Sequence, residues 1–505
     1  MPRRAVATSR PQIVLDARSP TPLYQQLYDR VRAAILSGQL ERGTRLPSTR
    51  QLAIELGISR TTVVVAYERL SLEGYLEGRV GQGTLVTRDL PTTVFPAPER
   101  IGESREQRTD LATASPRLAS RVRPVQEALS PPHWLGTPHT VYRVSEPAIE
   151  RFPFALWARL LARHARRTLR QFAQTQGPAG YLPLREAIAA HLSVTRGVRC
   201  TPDQIIMTSG EQGALDLAVR ALINPGDAVW IEDPGYIGAR GALLAAEAWL
   251  IPVPVDVQGI DVASGRRLAP SARLVAITPS HQFPTGVTMS LGRRLALLQW
   301  AREADAWILE DDDDSEYRWS GRPLEALQGL QGLNTDGRVL YIGTFENSLF
   351  PAMRLGYLVV PPALVEPLLF LRREIDIHTP ILEQLALADF LREGHYARHL
   401  RKMLRFYRQR RDLLWESLCA HLGDLLELQR PEAGRRLIGW LPPGIDDRRA
   451  TDRAAQLDLD VAALSKYCLE PAPRGALLFG FGGASVSGEE LHRRMARLAT
   501  HLRRL

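Results

Sequence analysis

Between residues 20 and 75 the apolar positions recur at helical spacing. Leu23, Leu27, Val31, Ile35 and Leu40 form one stripe, which predicts an amphipathic helix broken by Gly38 and Gly43. In LPSTRQLAIELG, Ser48 stands three residues before Gln51, the spacing of a capping box. Leu52 and Leu56 follow on one face, and Gly57 stops the helix. Ser59 opens a third helix at once, with Val63, Tyr67 and Leu70 on one side and an end near Gly74. Two short helices parted only by Gly57 and Ile58 predict a helix-turn-helix. The next segment, YLEGRVGQGTLVT, reads as strand, turn and strand, a hairpin wing in which Gly78, Gly81 and Gly83 supply a permissive backbone.

Residues 89–140 are rich in Pro, Arg, Ser and Thr with no sustained period, which predicts an extended or partly ordered linker. From about 150 onward the pattern is different. Apolar helical stripes, such as ALWARLLARHARRTL (155–169), alternate with short β-rich runs at 204–208, 228–232, 273–278, 306–310, 338–343 and 356–360. That alternation predicts an α/β domain over 141–505 with a mostly parallel sheet covered on both faces, and it runs on from about 362 as helices and short strands. Ligands of such sheets bind beyond the carboxyl ends of the strands. The expected organisation is therefore multidomain, with a winged helix-turn-helix over 20–88, the linker, and the α/β body.

A chain of 505 residues with 45% hydrophobic and 24% charged residues has enough apolar content for such cores without disulfides. Cys200, Cys419 and Cys468 match no zinc or redox spacing. The arginine-bearing N-terminus has no apolar run behind it, and no segment approaches 18 uninterrupted apolar residues. A cytoplasmic protein with no membrane span is expected. The net charge is +9, and residues 1–90 hold thirteen arginines against eight carboxylates, so more than half of the surplus lies on the first fifth of the chain. This is the electrostatic footprint of a nucleic-acid partner. Ser59, Arg60, Thr61 and Thr62 open the second helix of the motif, where hydroxyls, a guanidinium and outward N–H groups suit phosphate contacts and insertion in the major groove of double-stranded DNA.

Over residues 22–86 the sequence resembles the GntR family of bacterial regulators. The resemblance implies DNA contacts at Arg50, Ser59, Arg60, Thr61 and Thr62, with Gly81 at the wing tip. The motifs at the strand ends carry a second resemblance. TSGEQGALDL (208–217) is a glycine turn opening a helix, able to cradle a phosphate on the backbone of Gly210, Glu211 and Gln212. With GPAGYLPLREAIAAHL, EDPGY, TPSHQFPTG, EDDDDSEYRW and YIGTFENSLFPAMRLGYLVV it resembles the large domain of fold-type I aminotransferases, and more specifically the MocR subgroup, in which a GntR head is fused to an aminotransferase-like body. The subgroup implies a smaller subdomain over about 362–505, a homodimer on a DNA operator, a small-molecule effector and pyridoxal phosphate as cofactor. Asp311 then corresponds to the carboxylate facing the pyridine nitrogen, and Thr344 and Arg354 to phosphate ligands. Tyr236 corresponds to an aromatic facing the ring, with His281 and Gln282 on a neighbouring loop.

Three positions depart from that pattern. The motif G-T-F-S-K-[ST]-L-F-P reads here Gly343, Thr344, Phe345, Glu346, Asn347, Ser348, Leu349, Phe350, Pro351, so asparagine stands at the Schiff-base lysine and glutamate at the preceding serine. Without the amine there is neither a covalent anchor nor the base that moves the proton in transamination, which leaves no catalytic residue. Asp313 stands where a tyrosine is usual. Together the changes make the pocket more negative by up to three charges, and two like charges about 4 Å apart repel by roughly 4 kcal/mol at an effective dielectric near 20. The expectation is a regulator whose pocket has been released from covalent cofactor binding, open to a cationic or amine-bearing effector. The competing readings are an active aminotransferase with a DNA-binding head, and a body that serves only for dimerisation. The carboxylates of 310–314 would also suit magnesium or calcium, but no further ligand set supports a metal. Only Lys402 and Lys466 remain as replacement amines. The strand at 475–481 lacks the arginine that grips a substrate carboxylate in many transaminases, with Arg474 the nearest candidate.

Overall fold

The helix α1 (Leu23–Leu36) packs across α3 (Arg60–Leu72), and α2 (Thr49–Leu56) closes the triangle. A computed structural model describes residues 13–79, 83–88, 118–128, 141–167, 177–312, 314–321, 324–330, 337–483 and 486–505. Two units divide the chain, Met1–Pro116 and Arg117–Leu505. In the first, Leu27, Val31, Ile35, Val63, Tyr67 and Leu70 form the core that the stripes predict. Leu40 is also buried, although α1 ends at Leu36. Its N–H reaches back to Ala34 O at 2.9 Å, so it enters the core from the turn instead of extending the helix. Ser48 caps α2 by accepting from Gln51 N at 3.2 Å, and Ser59 caps α3 by accepting from Thr62 N at 3.1 Å. Gly57 ends α2 in the left-handed region at φ 64°. β1 (Leu76–Arg79) and β2 (Gly83–Val86) form the antiparallel wing. Gly81 lies outside the described residues.

Within the segment expected as linker, α4 (Val122–Ala128) lies against the helix at Ile237–Ala245. Its half-buried Val122, Val125 and Ala128 make a one-sided stripe too short for periodicity to reveal.

The body is built on an eight-stranded sheet with the order β3 (Ile205–Thr208), β10 (Gly356–Val359), β9 (Val339–Thr344), β8 (Trp307–Asp311), β7 (Leu274–Ile277), β4 (Ala228–Asp233), β5 (Trp249–Asp256) and β6 (Gly259–Ile260). Strands β9, β8, β7, β4 and β5 are parallel, and β10 runs antiparallel to both neighbours. Strand β3 therefore points the same way as β9, and the ends of β3, β4, β7, β8 and β9 share one edge. The predicted strands all form. The alternation passes over β5, whose Pro252 and Pro254 read as breakers. They are tolerated because the side of β5 away from β4 is paired only at Val255 and Asp256.

Helices α5 (Phe154–Arg167), α6 (Leu182–Thr195), α7 (Gly210–Leu222), α8 (Ile237–Ala245), α9 (Val262–Leu268) and α10 (Leu291–Glu303) follow in chain order. On one face Trp230 of β4 stacks on Trp300 of α10 with ring centroids 3.7 Å apart, and each indole N–H is satisfied by a carbonyl, Ala269 O and Pro270 O respectively.

The smaller subdomain begins later than residue 362. Helices α11 (Pro362–Ile375) and α12 (Ile381–Arg392) bury Leu368 and Phe390 in the cores of the large sheet. The second core gathers α13 (His395–Leu422), α14 (Asp447–Ala455), α15 (Gly488–Leu502) and the sheet β11 (Glu427–Gln429), β12 (Arg436–Trp440), β14 (Ala476–Gly480), β13 (Ala462–Ala463), and it takes in Val141, Tyr142, Tyr317 and Trp319 from earlier in the chain. Helical period does not show which layer a helix joins, so the boundary was not readable.

Candidate functional site

In the head, Arg50, Ser59, Arg60 and Thr61 are exposed on the first turns of α2 and α3, and Thr62 is half-buried. Two of the hydroxyls are turned to each other, with Ser59 Oγ and Thr62 Oγ1 2.8 Å apart in addition to the cap, whereas Arg60 and Thr61 lie on the exposed start of α3.

In the body the predicted residues collect along the common strand edge. At the end of β3, Thr208 Oγ1 donates to Gly210 O at 2.9 Å, and Gly210 (φ 75°) opens α7. Glu211 is buried in its first turn, and Gln212 donates to Gly238 O at 3.1 Å. After β9, the Thr344 hydroxyl accepts from Glu346 N at 3.2 Å. Arg354, left-handed at φ 49° just before β10, donates through Nη1 to Glu346 Oε2 and through Nη2 to Ser209 O, both at 2.9 Å. Glu346 Oε1 lies 2.8 Å from the same Nη1. Burial pushes the Glu346 carboxyl up to about 7, which Arg354 only partly offsets. Asn347 is half-buried in the same turn. Asp311, ending β8, is buried and shares with Tyr236, Thr278 and Ala276 the walls of a cavity of about 10 Å³, room for about one water.

The acidic run is neither a solvated face nor a common centre. Glu310 accepts from Leu327 N and Gln328 N, and burial together with Asp312 raises it to about 6. Asp312 takes a two-pronged ion pair from Arg196 at 2.7 and 2.8 Å. Asp314 receives Arg435 Nε at 2.8 Å. Burial alone would raise its carboxyl, but Arg435 and Arg436 hold it below the usual range. Each carboxylate thus has its own partner, and among the described residues no group of three or more His, Cys, Asp or Glu converges as a metal site. Asp313 lies outside the described residues.

His281 and Gln282 are both buried on the loop after β7. Arg436 Nη2 donates to His281 Nδ1 at 2.9 Å, and a guanidinium cannot accept, so the ring carries its proton on Nε2. Burial and then Arg436 keep this imidazole neutral, well below its ordinary pKa. Gln282 Nε2 braces the loop through Pro234 O and Phe283 O. Arg474 is engaged by Glu427 and Leu441 O on the small sheet, so it is not a substrate clamp. Sequence reasoning passed over Arg196 and the Arg435–Arg436 pair. The pair, opening the apolar strand RLIGW, was a visible oddity. Arg196, at the end of a helix, gave no signal.

Residues 23–86 match the model of bacterial regulatory proteins of the gntR family, and residues 150–434 match aminotransferase class I and II. The probable rhizopine catabolism regulatory protein MocR of Rhizobium meliloti is 39% identical over 93% of this chain and 92% of its own. The chain belongs to the MocR subgroup of GntR-type regulators. The pyridoxine biosynthesis regulator PdxR of Corynebacterium glutamicum is also similar, 32% identical over 93% of this chain and 94% of its own. The body of this MocR-type regulator resembles the kynurenine aminotransferase of Pyrococcus horikoshii, at 27% identity and a TM-score of 0.66 over 77% of this chain and 95% of that one. A transcription regulator with a GntR DNA-binding head and an aminotransferase-like body is therefore what this chain is. Among the described residues no helix is long and apolar enough to cross a membrane.

The aminotransferase-like fold brings pyridoxal phosphate into view by family resemblance. The residues present fit it poorly. Asp311 and Tyr236 line one small cavity, but a carboxylate lies against the start of α7 and Arg354, where the resemblance would put the phosphate.

Proposed function

We propose that this regulator is not an enzyme. In this reading it binds operator DNA as a cytoplasmic homodimer through Arg50, Ser59, Arg60, Thr61 and Thr62, with Gly81 at the wing tip, and reads a small effector at the strand edge of the body without covalent attachment. The observation that carries the reading is the strand-end constellation itself. Gly210, Tyr236, Asp311, Thr344 and Arg354 stand at the ends and beginnings of β3, β4, β8, β9 and β10 in one sheet, yet the turn that would bear the reactive amine bears Asn347. An active aminotransferase would need that amine for proton transfer. A body that only dimerised would have no use for ordering these groups. Effector binding tunes operator affinity by its differential affinity for two states of the protein.

The test is borohydride reduction of the full chain with one equivalent of pyridoxal phosphate, followed by peptide mass mapping, alongside calorimetry with amines, amino acids and pyridoxal vitamers. The expected outcome is no stoichiometric adduct and one vitamer or amine that binds and shifts operator affinity. A stoichiometric adduct on Lys402 or Lys466 would sink the noncovalent reading, and a body that binds none of the compounds would leave dimerisation as its role.

A further inference from the structure

The start of α7, Thr344 and Arg354 enclose one small space, and a side chain of the protein itself fills it. A Cβ built on Gly210 would lie 1.9 Å from Glu346 Oε1 and 3.0 Å from Arg354 Cζ, so the carboxylate rests directly on the backbone of the glycine turn. Both of its oxygens lie within 2.9 Å of Arg354 Nη1. The other arm of the guanidinium is held by Ser209 O, and the Thr344 hydroxyl accepts from Glu346's own N–H. Of the groups that would greet a phosphate, the Arg354 guanidinium and the Thr344 hydroxyl already have partners within the chain.

Three features separate this from an ordinary surface ion pair. The Glu346 side chain is 13% exposed while Arg354 is 52% exposed, so the anion is the buried partner. Its Oε1 meets Arg354 Nη1 at 2.8 Å as a charge contact outside hydrogen-bond geometry, while Oε2 takes the hydrogen bond. The cation it meets sits in a left-handed conformation that non-glycine residues adopt at a cost, which holds the guanidinium over the turn.

We propose that Glu346 is the resident anion of this cradle, so that the regulator excludes phosphate monoesters and selects effectors that lack a phosphate. The proposal rests on the noncovalent reading above, because a covalent anchor would retain a phosphorylated ligand despite the repulsion. A ligand phosphate would face like charge at contact distance and would have to break the pair to reach Arg354. A neutral or amine-bearing ligand meets no such barrier, since the cradle is closed and its charges are matched.

The experiment is calorimetric titration of the full chain at pH 8, where Glu346 is ionised, with inorganic phosphate, pyridoxal phosphate and pyridoxal. The proteins are the wild type, Glu346→Gln, Glu346→Ser and the double variant Glu346→Ser with Arg354→Gln. Both single variants should bind phosphate and pyridoxal phosphate at least tenfold more tightly than the wild type, and the double variant should lose that gain. Pyridoxal, without the phosphate, should bind all four alike. Thermal unfolding reports whether each variant is folded, and the isosteric glutamine carries the test if the serine variant is not. A wild type that binds pyridoxal phosphate as tightly as the folded Glu346 variants would overturn the proposal, as would folded variants with no gain for phosphate. The two readings fail separately: a borohydride adduct in the wild type removes the noncovalent one, whereas an unchanged mass with no gain for phosphate removes only this one.

Discussion

At the scale of single residues, charge is assigned in pairs. Glu346 was expected to add an uncompensated negative charge to the pocket. Arg354 pairs with it, so the added charge falls on a cation that the pattern already contains. Glu232 is the opposite case, a fully enclosed carboxyl with no cation beside it among the described residues. Burial raises it to about 7, although Thr278 N, Thr278 Oγ1 and Gln282 Nε2 all donate to its Oε2 and pull the other way. An acid whose folded pKa lies above its unfolded one stabilises the fold below the unfolded value, near 4.5, and that contribution is lost as pH rises through about 7. Glu232→Gln keeps one oxygen to accept the three donors. Denaturant unfolding of the variant should therefore lose less stability than the wild type between pH 4.5 and pH 8, by on the order of 3 kcal/mol. Parallel curves for the two proteins would show that Glu232 is ionised in the fold. In the head, Arg60→Ala should weaken operator binding and lower the slope of log affinity against log salt by about 1. An unchanged affinity would mean that α3 is not the recognition helix.

At the scale of elements, short-range chemistry was legible and layer membership was not. The caps Ser48 and Ser59, the stop at Gly57 and the hairpin wing stand where residue types required them, because capping and turn chemistry act within four residues. The strands of the large sheet were readable as apolar runs bounded by breakers. What escaped was α4, the proline-bearing β5, and the placement of α11 and α12 on the large sheet, each decided by contacts distant in sequence. The same limit hid Arg196, whose partner Asp312 is 116 residues away. Gly57 offers a clean test of the local chemistry. A Cβ there would meet nothing within 4 Å, so Gly57→Ala costs only the left-handed backbone, about 1 kcal/mol. Hydrogen exchange over residues 48–75 should quicken roughly fivefold. No change would mean that the turn adapts without strain.

At the scale of the whole molecule, the regulator joins a basic head to a body whose fold is that of an enzyme. Paired recognition helices require paired half-sites, so the operator footprint should show two half-sites centred about 34 Å apart or a multiple of that. Light scattering should return twice the 56.3 kDa of the chain. A monomeric mass with a single half-site would contradict the homodimer. The stack of Trp230 on Trp300 gives such experiments an optical handle. All nine tryptophans lie beyond residue 133, so the head has no indole, and two of those in the body are rings in van der Waals contact inside the sheet layer. Indole emission therefore carries nothing from the head, and the coupled near-ultraviolet dichroism of the pair reports on the body. Tyrosine signals excited at shorter wavelength include the head, and a heat-induced transition silent at 295 nm but visible in far-ultraviolet ellipticity would belong to the DNA-binding unit.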